Sequence, residues 1–96
     1  MAKTPEALVK DSIKKLLAKY NVYYFMPATG GFGKSGVPDF VCCFKSRFLA
    51  IEAKAGKGKT TALQDREIMA IQAHGGHAMV VNEDNLDTLE FVLKTL

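Results

Sequence analysis

Leu8, Val9, Ile13, Leu16, Leu17 and Tyr20 recur at the three- and four-residue steps that line one face of a helix. Just before them stands Thr4-Pro5-Glu6. Thr4 suits a helix cap, Pro5 the first helical position, and Glu6 the positive end of the helix dipole. The pattern predicts a helix from Pro5 that ends near Asn21. Val22 to Met26 is β-branched and aromatic and reads as a strand, Pro27 to Val37 as a loop, and Pro38 to Phe44 as a second strand. Lys45-Ser46 turns into a third strand, Arg47 to Lys54, and so tight a link makes the pair an antiparallel hairpin. After the loop Ala55-Gly56-Lys57-Gly58-Lys59, Thr60 or Thr61 caps a second helix that runs to about His74 and stops at Gly75-Gly76. His77 to Val81 is a fourth strand. A last helix, about Asp84 to Leu96, carries Leu86, Leu89, Val92, Leu93 and Leu96 as its apolar stripe.

The predicted order is α-β-β-β-α-β-α, in a single α/β domain spanning residues 1–96. The step from the third to the fourth strand requires a right-handed parallel crossover, so the sheet is mixed and carries helices on both faces. Hydrophobic residues make up 48% of the chain, too many for disorder. The net charge of +3 permits a polyanionic partner without requiring one. Cys42 and Cys43 are adjacent, point to opposite faces of a strand, and cannot readily bond to each other. With no disulfide framework, no signal-peptide pattern and no membrane-length apolar run, the chain reads as intracellular, in the cytoplasm of a cell or virus host.

The third strand carries the chemistry. Its centre is apolar on both faces, which marks a buried central strand, yet Glu52 and Lys54 stand at its end. Alternation puts them on one face. Alone, they read equally well as a salt bridge where the strand surfaces. Asp39 changes the balance, because the hairpin between Phe44 and Arg47 sets it opposite the region of Glu52. Two carboxylates that close repel unless a proton or a cation lies between them. A hard divalent ion such as Mg²⁺ takes one or two carboxylates together with water and substrate phosphate. It would activate water against that phosphate, with Lys54 orienting the water or offsetting charge.

Val37-Pro38-Asp39 followed by Glu52-Ala53-Lys54 resembles the P-D…E-x-K signature of the PD-(D/E)xK nucleases, and within them the virus-type replication-repair (VRR-NUC) branch. The resemblance runs from about Pro5 to Val81 and includes Glu6 in the first helix, Gly36 before the motif, and Gln64 in the second helix. Each short motif is weakly specific; their order, spacing and place on a hairpin are more so. The resemblance implies a restriction-endonuclease-like core. It implies that Asp39 and Glu52 bind Mg²⁺ or Mn²⁺, that the backbone carbonyl of Ala53 assists, and that Lys54 serves the attacking water. It also implies a dimeric endonuclease acting on branched DNA such as Holliday junctions, since small stand-alone viral members have this form.

Read by itself, Glu6 lies on the phase of Ile13 and Leu17 and can reach toward the sheet, or it can be an ordinary first-turn Glu favoured by the dipole. With the resemblance it becomes a metal-site residue, acting through a water. Gln64 shares a face with Ile68 and Ile71, and can also close a capping box with Thr61. Lys34, Ser35, Lys57, Lys59 and Arg66 flank the site as candidate DNA contacts, although exposed lysines are usually plain solvated surface.

Two signals point elsewhere. Ala28-Thr29-Gly30-Gly31-Phe32-Gly33-Lys34-Ser35 nearly matches a phosphate-binding P-loop, but Gly36-Val37-Pro38 follows where a helix is needed, which argues against a nucleotide cofactor. His74 and His77 could suggest a metal pair, but they read better as a helix end and a strand start. The rival readings are a non-catalytic DNA-binding module on the same fold and a P-loop nucleotide binder.

Overall fold

The computed structural model describes residues 2–28 and 33–96. The elements are α1 (Pro5–Lys19), β1 (Tyr23–Phe25), β2 (Phe40–Phe44), β3 (Arg47–Ala53), α2 (Ala62–Ala73), β4 (His77–Val81) and α3 (Leu86–Thr95). The strands form one sheet in the order β1-β2-β3-β4, antiparallel between β1, β2 and β3 and parallel between β3 and β4.

The helix ends follow local chemistry. Thr4 caps α1 by accepting the Ala7 N–H, and Asn21, at φ 54°, turns the chain out of the helix into β1. Thr61 and Gln64 form a reciprocal capping box at the start of α2. At the other end of α2, Gly75 takes φ 87° and the Gly76 N–H reaches back to the Ile71 carbonyl, an arrangement that only glycine enters without strain. Lys45 and Ser46 both take positive φ, 51° and 63°, the mirror-image turn that matches the twist of a two-residue hairpin.

Several elements are shorter than the sequence pattern, and one of them is β2, which starts at Phe40 rather than Pro38. The first strand is paired only over Tyr23–Phe25, against Val41–Cys43. The last helix starts at Leu86 rather than Asp84. Asn82 and Asn85 hold the preceding residues in a turn: Asn85 Oδ1 accepts the Asn82 N–H at 2.7 Å, and Asn82 Oδ1 accepts the Asp84 N–H at 2.8 Å.

The two faces of β3 divide the molecule. Leu49, Ile51 and Ala53 join Val9, Ile13 and Leu17 of α1 and Leu89 and Leu93 of α3 in the main core. Ala50 and Glu52 point the other way, toward α2, whose Gln64 reaches Glu52. Helices therefore lie on both faces, and α2 covers the face that carries the charged residues. Cys42 is buried and Cys43 exposed, both as free thiols. Among the described residues, no helix is long and apolar enough to cross a membrane.

Candidate active site

Glu52 lies on the central strand and is only 3% exposed, so its carboxylate sits at the end of the sheet with little water around it. The pairing of Phe40 with Ile51 continues outward to set Asp39 across from Glu52. Asp39 Oδ2 accepts the Ala53 N–H at 2.8 Å, which fixes the first carboxylate to the backbone between Glu52 and Lys54. Lys54 Nζ lies 3.4 Å from Glu52 Oε2, with only 14% of its side chain exposed. Its own N–H donates to the Val81 carbonyl, so the backbone of Lys54 is held by β4. The hairpin thus brings Asp39, Glu52, Ala53 and Lys54 together as the spacing predicts.

Gln64 closes the capping box and also reaches the carboxylate of Glu52. Its Oε1 accepts the Thr61 N–H at 2.9 Å, and its Nε2 donates to Glu52 Oε2, also at 2.9 Å. Glu52 Oε2 is therefore fully engaged, whereas Oε1 is buried with no hydrogen-bond partner. An orphaned carboxylate oxygen inside a protein is costly. Burial first, and the nearby Asp39 carboxylate second, push the Glu52 carboxyl up to about 7, while the Lys54 ammonium and the Asp39 backbone N–H pull in the opposite direction.

These donors fit a hard divalent cation. Asp39 stands opposite Glu52 in the register and its charge acts on the Glu52 carboxyl, so a cation held between the two would relieve both the orphaned acceptor and the repulsion. No cluster of three or more His, Cys, Asp or Glu side chains able to hold a metal occurs among the described residues. Asp39 and Glu52 alone would be a small donor set, which would leave positions for water and phosphate.

Glu6 does not reach Glu52. It pairs with Lys10, whose Nζ is 3.6 Å from Glu6 Oε2 and 3.6 Å from Asp39 Oδ1. Glu6 is thus linked to the site through Lys10, a residue the sequence pattern did not single out.

Five basic or polar candidates flank the site in different states. Lys34 pairs with Glu67 at 3.1 Å, and Arg66 lies 4.0 Å from the same carboxylate. Glu67, 7% exposed, is the second buried charged residue. It follows Gln64 by one helical turn on α2, which was the available signal that it points inward. Lys57 and Lys59 are exposed and form no ion pair among the described residues. Their loop is pinned where Glu83 Oε1 accepts the Gly56 N–H at 2.6 Å. Ser35 is exposed and, with Lys34, Asp39 and Gln64, lines an open polar pocket of about 360 Å³ beside the site.

Gly36 seats this loop. At φ +80° its α-carbon packs against α2, where an added Cβ would come within 2.5 Å of the Leu63 carbonyl oxygen. Gly36→Ala is expected to destabilise the fold by about 2 kcal/mol or more, through backbone strain and the clash. A urea unfolding curve would check it; an unchanged midpoint would mean that the loop shifts freely.

No helix begins at Lys34-Ser35. Residues 35 and 36 form a turn and the chain passes into β2, so the phosphate-cradling helix end of a P-loop is missing. Residues 29–32 of that motif lie outside the described residues. His74 caps the end of α2 with Nδ1 2.7 Å from the Ala70 carbonyl, and His77 opens β4. In comparisons with known proteins, no family model matches the chain, and no curated protein matches it.

Proposed function

We propose that this protein is a Mg²⁺- or Mn²⁺-dependent endonuclease of the PD-(D/E)xK type that hydrolyses DNA phosphodiester bonds. One observation carries this reading. A buried carboxylate on the central strand keeps one oxygen free, stands opposite a second carboxylate, and has a shielded lysine on its own face. A plain salt bridge would explain Lys54 with Glu52, but not the free oxygen or Asp39.

Asp39 and Glu52, with the backbone carbonyl of Ala53, would hold the ion. When bound, the ion supplies Lewis acidity and lowers the pKa of a water. The rest of the work belongs to the chain. The Ala53 N–H keeps Asp39 in place, and Gln64 fixes the orientation of Glu52. The Lys54 ammonium orients the attacking water or offsets charge on the phosphate. Glu6 stands at the rim, where it can act through a water. Lys57 and Lys59, together with Ser35, Lys34 and Arg66, meet the DNA backbone. Such contacts position DNA without reading its sequence, which suits recognition of shape, as in branched DNA of replication, recombination or repair.

A homodimer would set two such sites on two strands of a junction. Exposed Tyr23 and Phe25 on β1 and Phe91 on α3 offer apolar area for that contact.

The test is cleavage of a labelled four-way junction and of matched duplex, in Mg²⁺, Mn²⁺ or EDTA, by wild type and Asp39→Asn. Wild type should cut in one of the two metals, prefer the junction, and stop in EDTA. Asp39→Asn should lose about 10²-fold or more, as expected when a direct metal ligand is removed. A folded wild type that binds these DNAs but cuts none of them would favour the DNA-binding module instead.

A further inference from the structure

We propose that Lys10 is a built-in counter-ion of the carboxylate site, which a divalent cation must displace from Asp39 in order to bind. The inference rests on the metal-dependent reading above. Asp39 has two oxygens with different fates. Oδ2 is held by the Ala53 N–H at 2.8 Å, while Oδ1 has the Lys10 ammonium 3.6 Å away. Across the site, Glu52 Oε2 is engaged by Lys54 and Gln64, and Oε1 is free. The oxygens left for a cation are therefore Glu52 Oε1 and Asp39 Oδ1, and Lys10 guards the second.

Lys10 also has a place to go. Its other partner, Glu6 Oε2, is 3.6 Å away and one helical turn earlier on α1, the favourable order for such a pair. With 29% of its side chain exposed, Lys10 can leave Asp39 and remain with Glu6 at the rim. Without a divalent ion it offsets the carboxylate charge and keeps the empty site stable. With one, it opposes the ion. The site is thereby set to a weaker affinity than its carboxylates alone would give, and Glu6 acts on the cation indirectly, by holding Lys10.

The experiment is calorimetric titration of Mn²⁺, without DNA, into wild type, Lys10→Met, Lys10→Arg, Lys14→Met and Asp39→Asn, with melting curves in the presence and absence of Mn²⁺. A unit charge within about 6 Å of a divalent ion, even in water-like surroundings, changes affinity roughly tenfold. Lys10→Met should therefore bind Mn²⁺ about tenfold tighter than wild type. It should melt lower without metal and gain more from adding it. Lys10→Arg, which keeps the charge, and Lys14→Met, which removes an exposed charge elsewhere on α1, should titrate like wild type. If wild type binds Mn²⁺ and Asp39→Asn does not, but Lys10→Met binds it no more tightly than wild type, the role of Lys10 alone is overturned. If neither wild type nor Lys10→Met binds Mn²⁺ into the millimolar range while both melt cooperatively, the metal-dependent reading falls, and this inference with it.

Discussion

At pH 8 and without divalent ions, Glu52→Gln is expected to melt roughly 10 °C above wild type while cutting no DNA. The stability gain follows from burial. The carboxyl of Glu52 is raised from 4.5 to about 7 in the folded protein. Between those values the folded chain holds a proton that the unfolded chain has released, so stability falls as pH climbs through the window and stays low above it. A shift of that size corresponds to about 3 kcal/mol. Glutamine avoids this cost and still offers an oxygen to Gln64, but it gives up the ion pair with Lys54, so a net gain of about 2 kcal/mol is the reasonable figure. Near pH 4.5 both proteins carry a neutral group at this position and the difference should vanish. Melting curves for the two proteins at pH 5 and pH 8 decide the matter, since subtracting one from the other cancels every other titrating group. An equal gap at both values would mean that Glu52 is not a strained buried acid. Loss of cleavage in a more stable protein would show that the strain serves function.

Lys54→Ala should lower single-turnover cleavage by about 10²- to 10⁴-fold, the range for removing a group that acts on the reacting water or phosphate. It should leave Mn²⁺ binding equal or tighter, because Lys54 is a cation beside the site and not a donor to it. That separation distinguishes it from Asp39→Asn, in which binding and cleavage fall together. The variant should also be less stable above pH 7, because the Lys54 ammonium is one of the two influences that hold the Glu52 carboxyl down. Measuring Mn²⁺ affinity beside the cleavage rate would test the assignment. A parallel loss of both would make Lys54 a mere prop for the ligands. Lys54→Arg is not expected to rescue the rate, because a planar guanidinium cannot place its charge as a compact ammonium does.

The centre of this site was legible in the sequence because it is made of short-range geometry. Alternation put Glu52 and Lys54 on one face, and a two-residue turn at Lys45-Ser46 fixed the register that carries Asp39 to them. The same locality made the capping box at Thr61 readable. What escaped depends on contacts between distant segments. Lys10 looks like a surface lysine with an i,i+4 partner; only the packing of α1 beside the end of the sheet brings it to Asp39. Glu83 anchors the lysine loop from 27 positions away. Lys34, a candidate DNA contact weighed against plain solvated surface, is already paired with a buried Glu67, and a phosphate must compete with that carboxylate for it. The near match to a P-loop shows the opposite hazard, in which residue types agree but the following backbone does not.

The side chain of Gln64 joins two things usually treated apart. One end of its amide closes the first turn of α2, and the other end holds the carboxylate of Glu52. The amide is short and rigid, so neither end moves alone. If Glu52 swings toward a cation, Gln64 must let go of it or follow, and following would loosen the helix start and the loop that Gly36 seats against it. Occupancy of the site would then be transmitted as a change in the dynamics of α2, felt by Arg66 on that helix and by Lys34 through its ion pair with Glu67. The helix that covers the chemistry can in this way also sense it.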